Sequence, residues 1–218
     1  MNAGQAHTLS GLYIILDPSV YPACPLVEVL RASAEIGATL FQYRNKTASM
    51  KDAYGEALAL RQAAVKAGVL FIVNDRCDLA LAVDADGVHL GQGDLPLALA
   101  RKVMGPEKLI GISTHNLDQV RIAIAGKPDY LGFGPIFTPG SKQDHDPVVG
   151  IEGLRAMRSL TSLPVFAIGG IHIDQVRDVM LAGANGVAVI SAILKAQDIC
   201  QAVKSFLTQM PGPSLPAS

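Results

Sequence analysis

The stretch Phe71-Ile72-Val73-Asn74-Asp75-Arg76, followed by Gly87-Val88-His89-Leu90-Gly91-Gln92-Gly93-Asp94, carries the strongest indication of how this chain folds. Each half begins with a short apolar run and ends abruptly in a polar cluster. Buried parallel strands have this form, because helices cover both of their faces. The two runs therefore predict neighbouring parallel strands that deliver Asp75 and Asp94 to a common site.

These two carboxylates suit a particular kind of metal site. Mg²⁺ commonly takes one or two protein carboxylates and completes its coordination with water and substrate phosphate oxygens. Asp75 and Asp94 thus indicate a Mg²⁺ shared with a phosphorylated ligand, whereas they would form a poor zinc site. The alternative left open by these residues is that Asp75 caps a helix starting near Cys77 and Asp94 caps one starting near Pro96.

The same alternation of strand and helix patterns runs through the chain without a linker. Strands are predicted at 12–16, 40–43, 70–74, 87–90, 109–113, 130–132, 165–168 and 186–190. Helical patterns follow at 25–36, 49–67, 77–83, 96–103, 117–125, 151–159, 173–182 and 192–207. Eight such units predict a single (β/α)8 TIM barrel over residues 1–209. A doubly wound open sheet is the alternative, but it normally has fewer strands at this length, and the first βα turn lacks G-x-G-x-x-G.

Composition narrows the possible partners. Of the 218 residues 50% are hydrophobic and 17% charged, which is enough to bury a large core. The formal net charge of -1 gives no positive electrostatic field that would attract nucleic acid or an anionic membrane surface. No signal peptide or membrane-spanning segment is evident, and three widely spaced cysteines indicate reduced thiols, so we expect a cytoplasmic protein. Residues 210–218 are rich in proline and are predicted to form a disordered tail.

Polar residues follow most of the predicted strands, at the end of the barrel where active sites lie. In Gln42-Tyr43-Arg44-Asn45-Lys46, strand alternation places Gln42, Arg44 and Lys46 on one face. An amide and two cations suit a polyphosphate attached to a hydrogen-bonding ring. The alternative is a solvated strand end.

Two later segments indicate further anion binding. The longest loop, from 132 to about 150, carries Lys142, which could close over an anionic ligand or be a mobile surface lysine. Gly169-Gly170 and Ser191 end the last two strands, where many barrels bind phosphate on backbone amides. His89, on an apolar strand, is predicted to be a core residue with satisfied hydrogen bonds rather than a catalyst.

In six ordered motifs that span nearly the whole chain, the sequence resembles the thiamine-phosphate synthase family, also called the thiamine-phosphate pyrophosphorylase family. The motifs are Gln42-Tyr43-Arg44-Asn45-Lys46, Val73-Asn74-Asp75-Arg76, Gly87 to Asp94, Gly111-Ile112-Ser113, Gly134-Pro135-Ile136-Phe137 with Lys142, and Ala167-Ile168-Gly169-Gly170-Ile171 with Val189-Ile190-Ser191. The resemblance implies a transferase that joins a hydroxymethylpyrimidine diphosphate to a thiazole phosphate with the help of Mg²⁺, releasing diphosphate.

The resemblance also implies roles for individual residues. The pyrimidine diphosphate would be held by Gln42, Tyr43, Arg44, Asn45, Lys46 and Asn74, with Ser113 on the pyrimidine. Asp75 and Asp94 would hold Mg²⁺, and Lys142 the leaving diphosphate. The thiazole phosphate would be held by Gly170, Ile190, Ser191, Pro139, Gly140 and Ser141. The catalytic group would be Arg44, Lys46, Ser113 and Lys142. One departure concerns the long loop, where the family usually reads Pro-Thr-x-Thr-Lys and this chain has Thr138-Pro139-Gly140-Ser141-Lys142.

Two rival functions are compatible with the same barrel. One is the thiazole tautomerase or regulatory homologue of this family, which would not need the full set of cations together with both aspartates. The other is a noncatalytic phosphate-binding barrel, which would bind without turnover. Barrels often pair through their outer helices, so a homo-oligomer stays open, although the sequence identifies no pairing face.

Overall fold

Eight parallel strands close into a barrel in the computed structural model, which describes residues 9–22, 24–138 and 146–210. The strands are β1 (Gly11–Leu16), β2 (Leu40–Tyr43), β3 (Leu70–Asn74), β4 (Gly87–Leu90), β5 (Leu109–Thr114), β6 (Tyr130–Phe133), β7 (Val165–Ile168) and β8 (Gly186–Val189). Each strand pairs with its neighbours in sequence, and β1 also pairs with β8, where Gly11 lies opposite Gly186. This closure confirms the (β/α)8 barrel and excludes the open sheet.

Helices cover the outside of the barrel. They are α1 (Leu26–Ile36), α2 (Met50–Ala67), α3 (Cys77–Ala82), α4 (Leu97–Met104), α5 (Leu117–Ala125), α6 (Gly150–Arg158), α7 (Val176–Leu181), α8 (Ser191–Leu194) and α9 (Ile199–Gln209). The single helix predicted at 192–207 is wrong. The chain instead forms two helices, because the Asp198 side chain accepts a hydrogen bond from the Gln201 amide and starts a new one. A short 3-10 helix, Ile173–Gln175, precedes α7.

Strand alternation divides the core into two layers. On β1, Leu12, Ile14 and Leu16 point outward and join the apolar layer between strands and helices. Tyr13 and Ile15 point inward and join a smaller cluster inside the barrel. The inner cluster consists of Tyr13, Ile15, Leu40, Ile72, Tyr130, Phe166 and Ala188, all buried. Tyrosines at two inward positions are unusual, because a buried hydroxyl must find a hydrogen-bonding partner.

A repeated side-chain contact ties together the amino-terminal ends of the strands. Asp86, just before β4, accepts hydrogen bonds at Oδ2 from the Phe71 amide of β3 and from Arg61 of α2, at 2.8 and 2.9 Å. Asp129, before β6, likewise accepts hydrogen bonds from an amide of β5 and an arginine of α4. Asn185, before β8, accepts from an amide of β7 and an arginine of α6. Each contact joins two successive strands and the preceding helix, so this end of the barrel is built for stability.

The barrel elements run from Gly11 to Gln209, and residues 211–218 of the predicted tail lie outside the described residues. Within the described ranges, none of the helices combines the length and apolar character needed to cross a bilayer. The three cysteines are free, with Cys77 buried and Cys200 exposed.

Candidate functional site at the carboxyl ends of the strands

The predicted site residues of the described chain end or follow strands of the barrel and so border its carboxyl-terminal mouth. Gln42 lies on β2 with Arg44 directly after that strand, and Asn74 ends β3 with Asp75 directly after it. The other positions are Lys46 after β2, Asp94 after β4, Ser113 on β5, Gly170 after β7, and Ile190 and Ser191 after β8. Pro139, Gly140, Ser141 and Lys142 lie outside the described residues.

Arg44 is held at the mouth by a buried carboxylate. Its Nη1 donates to Oδ2 of Asp17, which directly follows β1 and is about 1% exposed. The other oxygen of Asp17 accepts from the amide and hydroxyl of Ser19, at 2.9 and 2.6 Å. A charge-assisted bond to a fixed acceptor restricts the guanidinium, whose side chain keeps 20% of its exposure. The position of Asp17 directly after the first strand predicts a polar residue at the mouth, but the sequence does not reveal its ion pair with Arg44.

Lys46, Asp75 and Asp94 form a second charged group. The Lys46 Nζ lies 3.1 Å from Oδ2 of Asp75. The Asp75 amide donates to the His89 carbonyl on β4 at 2.8 Å, with Asp75 in the left-handed region at φ 62°. Oδ2 of Asp94 accepts from the Gly91 amide at 2.7 Å. Burial raises the pKa of the Asp94 carboxyl, and the neighbouring Asp75 carboxylate raises it further.

The helix-capping alternative for these aspartates is wrong. Helix α3 has Arg76 at its N-cap and α4 has Pro96, and neither N-cap side chain makes a capping hydrogen bond. The Asp75 carboxylate instead lies close enough to Asp94 to raise the pKa of the Asp94 carboxyl. Two hard oxygen donors that repel each other beside an open mouth fit a Mg²⁺ that keeps water and phosphate ligands. The described residues contain no group of three or more His, Cys, Asp or Glu arranged to hold a metal.

The alternation predicted for residues 42–46 is confirmed, and it directs their side chains to two different sides of the barrel wall. Gln42, Arg44 and Lys46 contact partners on the barrel side, and Gln42 is about 2% exposed, which excludes a solvated strand end for it. Tyr43 and Asn45 turn to the helix side. Their side chains donate to Oε2 of Glu56 on α2, at 2.5 and 3.1 Å. The structure therefore does not bring Tyr43 and Asn45 together with the other predicted substrate ligands.

Beneath the mouth, a chain of buried polar groups connects Gln42 to Ser113. Nε2 of Gln42 donates to the Tyr13 hydroxyl at 2.7 Å, which lies 2.9 Å from the Tyr130 hydroxyl. Nδ1 of His89 lies 3.1 Å from the Tyr130 hydroxyl, and its Nε2 lies 2.8 Å from Oγ of Ser113. Both ring nitrogens of His89 are thus satisfied, as predicted for a core residue. Burial lowers the pKa of His89 to about 4 and raises that of Tyr13.

Gly169 and Gly170 support the start of the long loop. The Ile136 and Phe137 amides donate to the carbonyls of Ile168 and Gly169, both at 2.9 Å. A Cβ on Gly170 would lie 2.6 Å from the Thr138 carbonyl oxygen, and its φ of 63° also favours glycine. The two glycines therefore let the loop that leads to Lys142 lie directly on the end of β7.

The last two strands supply backbone more than side chains. Ser191 begins the short helix α8, with Ile190 at its N-cap, and the amides of Ile193 and Leu194 donate to the Ile190 carbonyl.

On β3, the Asn74 carbonyl accepts from the Arg76 amide at 2.7 Å, which fixes the tight turn before Cys77. Both turns directly follow strands, β8 and β3, and therefore lie at the carboxyl-terminal end of the barrel.

A closed (β/α)8 barrel with arginine, lysine and paired carboxylates at the carboxyl ends of its strands defines the class of barrel enzymes whose active site lies at that mouth. The profile of the thiamine monophosphate synthase family (TMP-TENI) matches residues 12–193. The chain belongs to this family.

Several relatives are similar along most of their length. Thiamine-phosphate synthase of Chloroflexus aurantiacus is 48% identical over 195 residues, which cover 89% of this chain and 90% of that protein. Thiamine-phosphate synthase of Moorella thermoacetica is 44% identical over 193 residues, covering 88% and 92%.

Solved structures give the same result. Thiamine phosphate pyrophosphorylase from Pyrococcus furiosus has a TM-score of 0.83 at 39% identity, covering 92% of this chain and 95% of that chain. Orotidine 5'-phosphate decarboxylase from Pyrococcus horikoshii has a TM-score of 0.66 at 16% identity, covering 91% and 99%, which shows a shared fold alone.

Proposed function

We propose that this protein joins 4-amino-2-methyl-5-(diphosphooxymethyl)pyrimidine to 4-methyl-5-(2-phosphooxyethyl)thiazole, forming thiamine phosphate and diphosphate. The observation that carries the proposal is the meeting of two charged groups at one mouth, Arg44 with Asp17 and Lys46 with Asp75 and Asp94. Family membership and relatives at 42% identity or more over most of the chain support it.

The reaction needs stabilisation of a leaving group more than it needs a protein nucleophile. The bond between the pyrimidine methylene carbon and the diphosphate oxygen breaks, and its electron pair leaves with the diphosphate. The electron-rich aminopyrimidine stabilises the resulting cation, and the thiazole nitrogen supplies the pair for the new bond. Arg44, Lys46 and Lys142 neutralise the charge that develops on the diphosphate. Mg²⁺, held by Asp75 and Asp94, would supply further neutralisation of the same oxygens.

The remaining site residues bind and orient the substrates. Gln42, Asn74 and Ser113 hold the pyrimidine diphosphate, and the pinned guanidinium of Arg44 limits the motion of its diphosphate. The backbone at Gly170, Ile190 and Ser191, with residues 139–141, binds the thiazole phosphate. Holding two phosphorylated substrates in line replaces a collision between free reactants, which lowers the entropic part of the barrier.

The test is incubation of the purified protein with both substrates, with and without Mg²⁺, followed by quantitation of thiamine phosphate and diphosphate. We expect both products in equal amounts, and loss of turnover after chelation of the metal. Isomerisation of the thiazole phosphate alone would identify the tautomerase instead. Tight binding of either substrate without product would identify a noncatalytic phosphate-binding barrel.

Lys142→Ala tests the leaving-group argument. Removing one well-aimed electrostatic donor commonly costs about a hundredfold in rate, so kcat should fall by that order while KM for the thiazole phosphate changes little. Lys102→Ala, an exposed lysine of α4, is the matched control and should leave kcat unchanged. An unchanged kcat in Lys142→Ala would reduce Lys142 to a surface residue.

A further inference from the structure

The buried chain between Gln42 and Ser113 contains three residues that the proposed function leaves without a role: Tyr13, Tyr130 and His89. Tyr13 and Tyr130 are about 1% and 0% exposed and His89 about 8%, so their polar atoms rely on one another. Leaving any one of these groups without a partner would carry the cost of a buried unpaired donor or acceptor. The direction of every hydrogen bond in the chain can therefore be worked out.

The direction follows from the Gln42 end. The amide nitrogen of Gln42 can only donate, so the Tyr13 oxygen accepts and the Tyr13 hydrogen must go to Tyr130. The Tyr130 hydrogen then goes to Nδ1 of His89, which places the ring proton on Nε2. That proton is donated to Oγ of Ser113, so the Ser113 hydrogen stays available to a ligand in the mouth.

Two glycines on neighbouring strands make room for this chain. A Cβ on Gly111 of β5 would lie 2.1 Å from Cζ of Tyr130 and 2.5 Å from Nδ1 of His89. A Cβ on Gly132 of β6 would lie 3.2 Å from Cε1 of His89. Any larger residue at Gly111 would push the Tyr130 ring and the His89 ring apart, so the inward positions of two strands are used to bring these rings together.

We infer that Tyr130 is a positioning residue that fixes Ser113 as a hydrogen-bond donor and Gln42 in one amide orientation, and so makes the mouth select an aminopyrimidine over an oxopyrimidine. The inference rests on the proposed function, which supplies the pyrimidine. An aminopyrimidine presents an unprotonated ring nitrogen beside an amino donor. The oxo analogue presents N–H beside a carbonyl acceptor, which reverses both groups. A site with fixed donors and acceptors rejects such a reversal, because buried polar groups would be left unpaired.

The same buried groups could also form the opposite arrangement. If the Gln42 amide were turned over, so that its oxygen faced Tyr13, every hydrogen bond in the chain would have its donor and acceptor exchanged. The His89 proton would then lie on Nδ1, and the Ser113 hydrogen would point inward to Nε2. Nitrogen-15 NMR of the free protein, labelled at histidine and assigned by comparison with His89→Gln, distinguishes the two states without substrate. We expect the Nε2-protonated tautomer, and the Nδ1-protonated tautomer would overturn the inference.

Tyr130→Phe removes the hydroxyl at the centre of the chain. We expect a shift in the His89 tautomer population and a fall of about tenfold or more in the ratio of kcat/KM between the amino and oxo pyrimidine diphosphates. KM for the thiazole phosphate should stay unchanged. Unchanged discrimination and an unchanged tautomer would overturn the inference, and if the variant fails to fold, the tautomer of the unaltered protein still decides it.

Phe166→Leu is the matched control for packing. The Phe166 ring lies edge-on to Tyr13 and Tyr130, with centroids 5.1 and 5.6 Å apart, and offers them no polar atom. Its truncation should lower the melting temperature yet leave the tautomer and the discrimination ratio as they were. Equal loss of discrimination in Phe166→Leu would attribute the effect to packing and overturn the inference. Absence of product from the unaltered protein would refute the proposed function, while the tautomer and the binding of the two pyrimidine diphosphates would still test Tyr130.

Discussion

The contact that joins the amino-terminal ends of the strands is made by an aspartate at one place in the barrel and by an asparagine at another. Asp86 and Asn185 occupy equivalent places before β4 and β8, and each accepts from a strand amide and from an arginine. If one acceptor oxygen is what matters, Asp86→Asn should be tolerated far better than Asp86→Ala. The pair of variants separates the hydrogen bond to the backbone from the charge.

The magnitudes follow from the local structure. Asp86→Ala leaves the amide of Phe71, a residue that is 0% exposed, without its acceptor, which costs about 1–3 kcal/mol. It also removes an ion pair with Arg61 whose side chains are 26% and 16% exposed, worth about 0–1 kcal/mol at such a site. Asp86→Ala should therefore lower the free energy of unfolding by about 3 kcal/mol and Asp86→Asn by about 1 kcal/mol. A typical domain survives both losses.

The assay is urea unfolding followed by far-ultraviolet circular dichroism, because the chain has no tryptophan. A double-mutant cycle with Arg61→Met isolates the ion pair from the backbone bond. Equal losses in Asp86→Asn and Asp86→Ala would refute the argument that one neutral acceptor suffices. Losses below about 0.5 kcal/mol in both would show that the contact contributes nothing measurable to stability.

Asp75→Asn and Asp94→Asn should each raise the Mg²⁺ concentration needed for half-maximal turnover and lower kcat about tenfold or more, because one carboxylate holds the metal poorly. The urea unfolding midpoint of each variant should stay near that of the unaltered protein. Loss of folding in both variants would indicate a structural role for the two aspartates instead. The pKa of His89 is lowered to about 4 from 6.5, so the unfolded chain takes up the proton first, and the folded state should lose about 3 kcal/mol as pH falls from about 6.5 to about 4. His89→Gln should lack this part of the pH dependence in urea titrations, and identical pH profiles would contradict it. Gly170→Ala would place a Cβ 2.6 Å from a carbonyl oxygen of the loop before α6, so KM for the thiazole phosphate should rise while KM for the pyrimidine diphosphate does not. Gly68→Ala, which has a similar φ of 68° with open space around it, is the control for backbone strain, and an equal effect on both KM values in Gly170→Ala would contradict this assignment.

The order of the strands and the position of the mouth could be predicted from the sequence. Short apolar runs that end in polar residues report burial on both faces and a common polar end, and both are local properties of each segment. The same reasoning found Arg44 and Asp75, which directly follow a strand, and Lys46 and Asp94, which lie in the short segments after β2 and β4. It failed at the carboxyl end of the chain, where the Asp198 side chain accepts a capping hydrogen bond from the Gln201 amide and one helical pattern becomes two helices.

The tertiary structure alone decided which of these residues work together. The Tyr13 and Tyr130 hydroxyls share a hydrogen bond although they are 117 residues apart in sequence, and the local pattern of β1 or β6 does not predict it. Tyr43 and Arg44 are adjacent in sequence, yet one contacts a helix and the other the carboxylate of Asp17. Alternation along a strand assigns a side chain to a face, whereas its partner depends on the closure of the barrel, which brings distant strands to one axis. The sequence by itself therefore determined the barrel and the chemistry of its rim, and only the closed barrel decided the pairing of the buried polar groups.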